Sequence, residues 1–241
     1  MSNLARYASG MDDLVAPSWN AFMRVFRREW KAGEHVLIYG ETGSGKTDMG
    51  FHLLNTEPFA VGFITKPRDP IFRSSLTRGY RRMREWPPKD VKRGAHFLLN
   101  AKPGKTMDAE RESQRALFPS ALDSIYRDGG WTVLFDEAFH MSTSLGMKQQ
   151  VSDFFFLGRS YDLTGIACTQ RPRHIPVVLP QSCKWAFMGR SRRDDDIATL
   201  SELGYSKQEL KARLTSLRNI HDFLFVDPQG KLPLAVVNTH A

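Results

Sequence analysis

The stretch Gly40–Thr47 reads GETGSGKT and stands directly behind the apolar run Val36–Tyr39. Gly40, Gly45, Lys46 and Thr47 occupy every fixed position of the phosphate-binding pattern G-x-x-x-x-G-K-[ST]. The spacing has a physical reason. Glycines let consecutive backbone N–H groups curl round a chain of phosphates, the lysine reaches the β- and γ-phosphates, and the following hydroxyl is offered to Mg²⁺. A helix starting near Lys46 adds the positive end of its dipole to that cradle. The flanks agree, with a β-type run before the loop and a helical segment, Thr47–Asn55, after it. Gly40, Glu41, Thr42, Gly43, Ser44, Gly45, Lys46 and Thr47 are therefore expected to hold a nucleoside triphosphate.

A second element answers the first. Trp131–Glu137 (WTVLFDE) is an apolar strand that ends in two adjacent carboxylates, and open α/β sheets bind their ligands at the carboxyl ends of their strands. Successive strand residues point to opposite sides, which gives the two acids different tasks. Asp136 is expected to join Thr47 in the Mg²⁺ shell, and Glu137 to polarise the attacking water as general base. The other reading of Glu137 is a capped turn.

The remaining chain supplies more alternating elements. Trp19, Phe22, Met23, Phe26 and Trp30 recur at helical spacing opposite Arg24, Arg27 and Arg28, a stripe that predicts a helix packed on the core. Phe59–Thr65, His96–Asn100, Thr164–Thr169 and Lys184–Gly189 read as strands, and Met107–Arg127 and Met147–Ser160 as helices. Asp194–Asp196 reads as an acidic turn capping a helix. Asp222–Val226 and Leu234–Val237, joined through Asp227–Gly230, read as a C-terminal β-hairpin.

With 241 residues, 41% of them hydrophobic and 25% charged, the chain suits one globular α/β domain. No apolar run approaches the length that spans a bilayer. The N-terminus, MSNLARYASGMDDL, lacks the apolar core of a signal peptide, and residues 1–18 are expected to be flexible. Cys168 and Cys183 fit neither a zinc framework nor a disulfide scaffold, so a cytoplasmic location is the simplest reading.

The net charge of +8 and the pI near 9.6 point to a polyanionic partner. The excess is local. Residues 66–93 hold ten bases against three acids, a surplus of seven, and the segment reads as a basic insertion. Its arginines, among them Arg73, Arg78, Arg81, Arg82 and Arg84, alternate with Phe72, Tyr80 and Trp86. That mixture suits phosphate contacts with stacking, a solvated basic face, or docking on an acidic protein.

Taken together, GETGSGKT, the strand ending in Asp136-Glu137 and GIACTQRPRHIP at Gly165–Pro176 resemble the HerA/FtsK superfamily of P-loop ATPases. The resemblance runs from about Glu34 to Val237, and the Thr-Gln-Arg-Pro segment narrows it most. It implies a RecA-like fold with a mainly parallel central sheet flanked by helices, in which the P-loop strand and the carboxylate strand flank the strand ending in Gln170. It implies ATP and Mg²⁺ as ligands, and Gln170 as the residue that senses the γ-phosphate. Arg159, eleven residues before Gln170, is similar to the family's arginine finger, which completes a neighbour's active site. Its other reading is an arginine interacting with a helix C-terminus. Arg171, Arg173 and Arg190 are weaker candidates. Members of the family act as rings, here a hexamer or pentamer, on double-stranded DNA. At this length, membrane helices, an N-terminal barrel and an all-helical insert are expected to be missing, and the resemblance then falls on viral genome-packaging ATPases. A capsid portal or vertex becomes the expected partner, and host cytoplasm or virion the expected location. DNA transfer, helicase action, filamentous-phage assembly and a nucleotide-gated capsid-docking scaffold are the alternatives.

Overall fold

Strands buried on both faces read as unbroken apolar runs, and that composition produces the sheet. In the computed structural model, which describes residues 18–191, 193–201, 205–227 and 235–239, nine strands form one sheet. The expected flexibility of residues 1–18 falls, Ser18 apart, outside the described residues. The strands are β1 (His35–Tyr39), β2 (Phe59–Phe63), β3 (Arg81–Met83), β4 (Ala95–Leu99), β5 (Thr132–Phe135), β6 (Thr164–Thr169), β7 (Cys183–Gly189), β8 (Asp222–Val226) and β9 (Ala235–Asn238). Their order is β3-β4-β2-β5-β6-β1-β7-β8-β9. Pairing is parallel from β3 through β7, and β8 and β9 add an antiparallel ribbon at one edge.

The helices are α1 (Trp19–Glu29), α2 (Lys46–Leu54), α3 (Met107–Asp128), α4 (Lys148–Leu157), α5 (Val178–Ser182), α6 (Asp194–Ser201) and α7 (Lys207–Ser216). Alternation along β1 sorts the core into two layers. Val36 and Ile38 face a cluster that includes Phe22 and Phe26 of α1 and Met49 and Leu53 of α2. Leu37 and Tyr39 face the opposite cluster, with Phe118 and Ile125 of α3, Phe154 of α4, Ile197 of α6 and Leu210 of α7. The apolar stripe of α1 is core, as its spacing implies. Phe22 lies 5.3 Å from Phe225 and Phe26 5.5 Å from Trp185, both in edge-on geometry, an arrangement worth about 0.5–1.5 kcal/mol per pair beyond area burial. Among the described residues no helix is long and apolar enough to cross a membrane.

Two features of this topology position the site. β6 lies between β5 and β1, so the carboxylate strand, the Gln170 strand and the P-loop strand end side by side. The basic segment, in turn, is not set outside the sheet. It forms two 3₁₀ turns, Pro70–Arg73 and Ser75–Thr77, and then edge strand β3, which pairs with β4. Its aromatics are engaged internally, which corrects their reading as stacking platforms. Trp86 packs 5.4 Å from Trp131 and 5.8 Å from Phe97. Tyr80 packs 5.7 Å from Phe51 and donates its hydroxyl to Asn55 Oδ1 at 2.8 Å. Phe72 is covered by the Arg82 guanidinium at 3.9 Å.

Candidate active site

The loop from β1 to α2 has the backbone that its glycines imply. Gly43 and Gly45 have φ of +81° and +86°, the left-handed region that side chains avoid. A Cβ on Gly45 would stand 2.8 Å from His221 Nδ1, and one on Gly40 2.5 Å from Ser44 Oγ. Gly45 caps α2, whose first N–H groups therefore open into a cleft of about 520 Å³. Thr42, Gly43, Gly45, Lys46 and Thr47 line it, together with Asp136, Glu137 and Gln170. Gly40, Glu41 and Ser44 shape the loop from behind: Lys46 Nζ donates to the Glu41 carbonyl at 2.8 Å, and the Ser44 N–H to the same carbonyl at 3.2 Å. Burial draws the Lys46 pKa down, against the charges of Cys168, Glu137 and Asp136.

The two carboxylates sit just past the end of β5 and part company there. Thr47 Oγ1 donates to Asp136 Oδ1 at 2.7 Å, across 89 residues of sequence. Asp136 Oδ2 and Glu137 Oε1 are both buried without a hydrogen-bond partner. Burial raises both pKa values. For Asp136 the Thr47 hydroxyl and Lys66 are the chief opposing influences, and for Glu137 the chief one is Lys46. The Gln170 backbone, next to the Glu137 carboxylate, also opposes that rise, while the Gln170 side-chain oxygen accepts from Thr42 Oγ1 at 2.9 Å. An unsatisfied buried carboxylate oxygen is costly. One placed beside a hydroxyl and a phosphate cradle fits a hydrated Mg²⁺, which takes few protein ligands and completes its shell with phosphate oxygens and water.

Further residues that their sequence positions alone did not assign to this cleft line it too, among them Lys66, Asp69 and His221. Lys66 carried a readable signal, since it follows β2 at the same end of the sheet. His221 carried none, because its position depends on how the turn before β8 folds against Gly45.

The five arginines read as DNA contacts separate. Arg73 lines the cleft beside the glycine-rich loop. Arg82 lies over Phe72 and donates to Asn100 Oδ1 at 2.7 Å, and Arg81 lies over the Phe97 ring, 5.4 Å from its centroid. Arg78 and Arg84 are exposed. Arg159 is not brought to the cleft. It lies in the 3₁₀ turn Gly158–Tyr161 before β6, against Gly33 and beside His35, at the opposite end of the strands. There it lines a second cleft of about 660 Å³ with Phe156 and Val177. That space is larger, but the glycine-rich loop and the two carboxylates line the first cleft and not this one. Of the weaker candidates, Arg173 is paired with Asp195 at 2.7 Å.

No family model matches the chain, and no curated protein matches it by sequence. Solved structures do match by fold. The genome packaging NTPase B204 of Sulfolobus turreted icosahedral virus 2, in complex with AMPPCP, superposes with a TM-score of 0.59 at 13% identity, over 86% of this chain and 98% of that one. B204 described as the DNA-packaging ATPase of Sulfolobus turreted icosahedral virus gives 0.59 at 13% identity over 87% and 98%. The pCW3 conjugation coupling protein TcpA, with ATPγS, gives 0.53 at 16% identity over 86% of this chain and 60% of that one. The parallel sheet, the loop at the end of β1 and the C-terminal hairpin thus give this chain a P-loop NTPase fold, shared with the genome packaging NTPase B204 and the coupling protein TcpA.

Proposed function

We propose that the chain is an ATP-hydrolysing motor that translocates double-stranded DNA, with a viral genome packaged into a preformed capsid as its task. The observation that carries the hydrolytic half is the 2.7 Å contact between Thr47 and Asp136, with Glu137 and Gln170 lining the same cleft. Gly43–Thr47 hold the phosphates through backbone N–H groups, and Lys46 reaches the β- and γ-phosphates. Thr47 and Asp136 hold Mg²⁺, which when bound neutralises charge developing on the phosphate oxygens. Glu137 takes the proton of the attacking water, and the Gln170 amide orients that water or senses the γ-phosphate.

Arg159 acts on a neighbour's nucleotide. β6 covers six residues, which at about 3.3 Å each places the turn before it roughly 20 Å from the residue after it. That distance keeps Arg159 from its own subunit's γ-phosphate, and the role proposed for it is on another subunit's, in a hexameric or pentameric ring, where known fingers contribute on the order of 10³–10⁵ in rate. The fold shared with B204 supports the packaging task, and the exposed arginines of residues 66–93 supply a sequence-blind DNA surface. The likeness to TcpA favours DNA transfer as the second reading, and co-purification with capsid proteins separates the two.

The test is ATP turnover with Mg²⁺, with and without double-stranded DNA at low salt. Glu137→Gln should abolish turnover while leaving nucleotide binding intact, and parental rates in that variant would remove Glu137 from its role. Mixing Lys46→Ala with Arg159→Ala subunits should restore turnover in mixed rings. Failure to restore it would count against action in trans. An ATPase indifferent to DNA would sink the translocation reading.

A further inference from the structure

Besides Lys46, the cleft receives two cations, Lys66 and Arg73, from the segment whose charge first suggested DNA. β2 pairs with β5, with Phe63 opposite Phe135, so the residues leaving β2 pass beside Asp136. Lys66 is among them. Its ammonium lies 3.5 Å from Asp69 Oδ2. Burial works against its charged form, but Asp136, Asp69 and Glu137 outweigh burial, and the group stays protonated. Asp69 also fixes the path of the chain beyond it, because its Oδ1 accepts the Ile71 N–H at 2.9 Å and caps the 3₁₀ turn Pro70–Arg73. Thr77 Oγ1 closes the turn from the other side by donating to the Ile71 carbonyl at 2.6 Å. The rigid turn ends in Arg73, exposed on the wall of the nucleotide cleft. Among the described residues Arg73 has no hydrogen bond or ion pair, whereas Arg81 and Arg82 of the same segment are occupied.

We infer that Arg73 is a γ-phosphate contact supplied in cis, and that Lys66 positions it through Asp69 while adding its own charge to the Asp136 side of the cleft. The inference rests on reading the cleft as an ATP site. It gives the basic segment a second role. Its first turn touches the nucleotide, and the same stretch continues into edge strand β3 with Arg81 and Arg82, so loss of the γ-phosphate is felt at one end of the surface proposed to hold DNA. A guanidinium suits the task, since its fork matches two phosphate oxygens and it is always charged.

Arg73→Ala in the full chain separates this role from a DNA contact. Arg73 is exposed, so its removal leaves the fold standing. Calorimetric titration with ATPγS and with ADP, both with Mg²⁺, should show ATPγS affinity falling about tenfold with ADP affinity unchanged. Arg73→Lys should recover part of the loss. Affinity for a double-stranded oligonucleotide at low salt should fall no further than in an Arg78→Ala control. An unchanged ATPγS affinity with a specific loss of DNA affinity would return Arg73 to the DNA surface and overturn the inference. Equal losses for ATPγS and ADP would also overturn it, by placing the contact away from the γ-phosphate. A parent protein that binds neither nucleotide refutes the ATP reading itself, before any variant is compared.

Discussion

His35 offers a quantitative handle on the end of the sheet that carries Arg159. The residue opens β1 with only 2% of its surface exposed. Its Nδ1 accepts the Gly165 N–H at 2.8 Å, and its ring lies 4.9 Å from Phe155 and 6.3 Å from Phe154. A ring that accepts at Nδ1 in this setting must be neutral. Burial lowers its pKa from 6.5 to about 4, the Phe155 backbone opposes this, and the charge of Arg159 adds to it. Its partner across the β1–β7 pair, Cys183, is held as a thiol by burial, and Glu34 next to it is engaged by Lys184 at 2.6 Å. Between these two values the unfolded chain binds the proton and the folded chain does not. The contribution to stability is therefore complete above about pH 6.5 and is lost as pH falls toward 4. Its ceiling is about 3 kcal/mol, and about 2 kcal/mol of it disappears between pH 7 and pH 5. Urea unfolding at stepped pH, parent against His35→Asn, measures it. Asparagine keeps an acceptor for Gly165 but does not titrate. The variant should be less stable at pH 7 by about 1–3 kcal/mol, from lost ring packing. The gap should narrow by about 2 kcal/mol on going to pH 5, because shared contributions from raised carboxylates cancel. Parallel stability profiles over that range would refute the neutral, desolvated imidazole.

Other perturbations test other layers. Phe26→Ala removes a fully buried ring that meets Phe22, Trp30, Trp185, Phe187 and Phe225, and should cost about 3–5 kcal/mol in urea unfolding. Gly45→Ala places a side chain at φ +86° and 2.8 Å from His221. It should lose about 1–2 kcal/mol of stability, and ADP affinity measured by calorimetry should fall more than tenfold, since the N–H cradle moves. Asp222→Ala deletes the acceptor of the Arg218 and Asn219 N–H groups, at 3.1 and 2.8 Å, and of Asn238 Nδ2 at 2.6 Å. A loss of about 2–4 kcal/mol is expected, together with a raised KM for ATP, because this turn sets Ile220 and His221 against the loop. Asp222→Asn should lose less.

Whether a feature could be read from the sequence depended on its range along the chain. Gly40–Thr47 and Trp131–Glu137 were legible because each is a local conformation with its own chemistry: a loop that needs φ > 0 at Gly43 and Gly45, and a strand that ends in acids. The place of β6 between β5 and β1 was legible only through the family resemblance, since no periodicity encodes strand order. The basic segment misled in part. Charge and aromatic counts over residues 66–93 cannot say that Trp86 turns inward onto Trp131 or that Tyr80 reaches Asn55. Nor can they say that Asp69 turns the chain so that Arg73 lines the cleft beside the glycine-rich loop while Arg82 covers Phe72. Those outcomes depend on β2 and β4 being neighbours, a pairing between stretches that the basic segment itself separates. His221 was unreadable for the same reason.

The position of Arg159 carries a consequence for assembly that can be measured. Two large apolar side chains line its cleft in full view of solvent, Phe156 at 69% exposure and Val177 at 65%. At the other end of the sheet, Ile220 is 57% exposed beside the P-loop, 4.0 Å from where a Gly43 side chain would be. Under the trans role proposed for Arg159, the first face meets the second in a head-to-tail contact of the kind that closes into rings. The apolar residues flanking it then leave water on assembly, at roughly 25 cal/mol per Å² of apolar area removed. Phe156→Asp puts a charge at that contact without touching the core, since the side chain already stands outside it. The variant should unfold at the parental urea midpoint within about 0.5 kcal/mol, as surface substitutions do. It should run as a monomer in sedimentation, and its turnover should fall to the level of Arg159→Ala. A variant that still forms rings with parental turnover would place the subunit contact elsewhere and leave Arg159 without a route to any nucleotide.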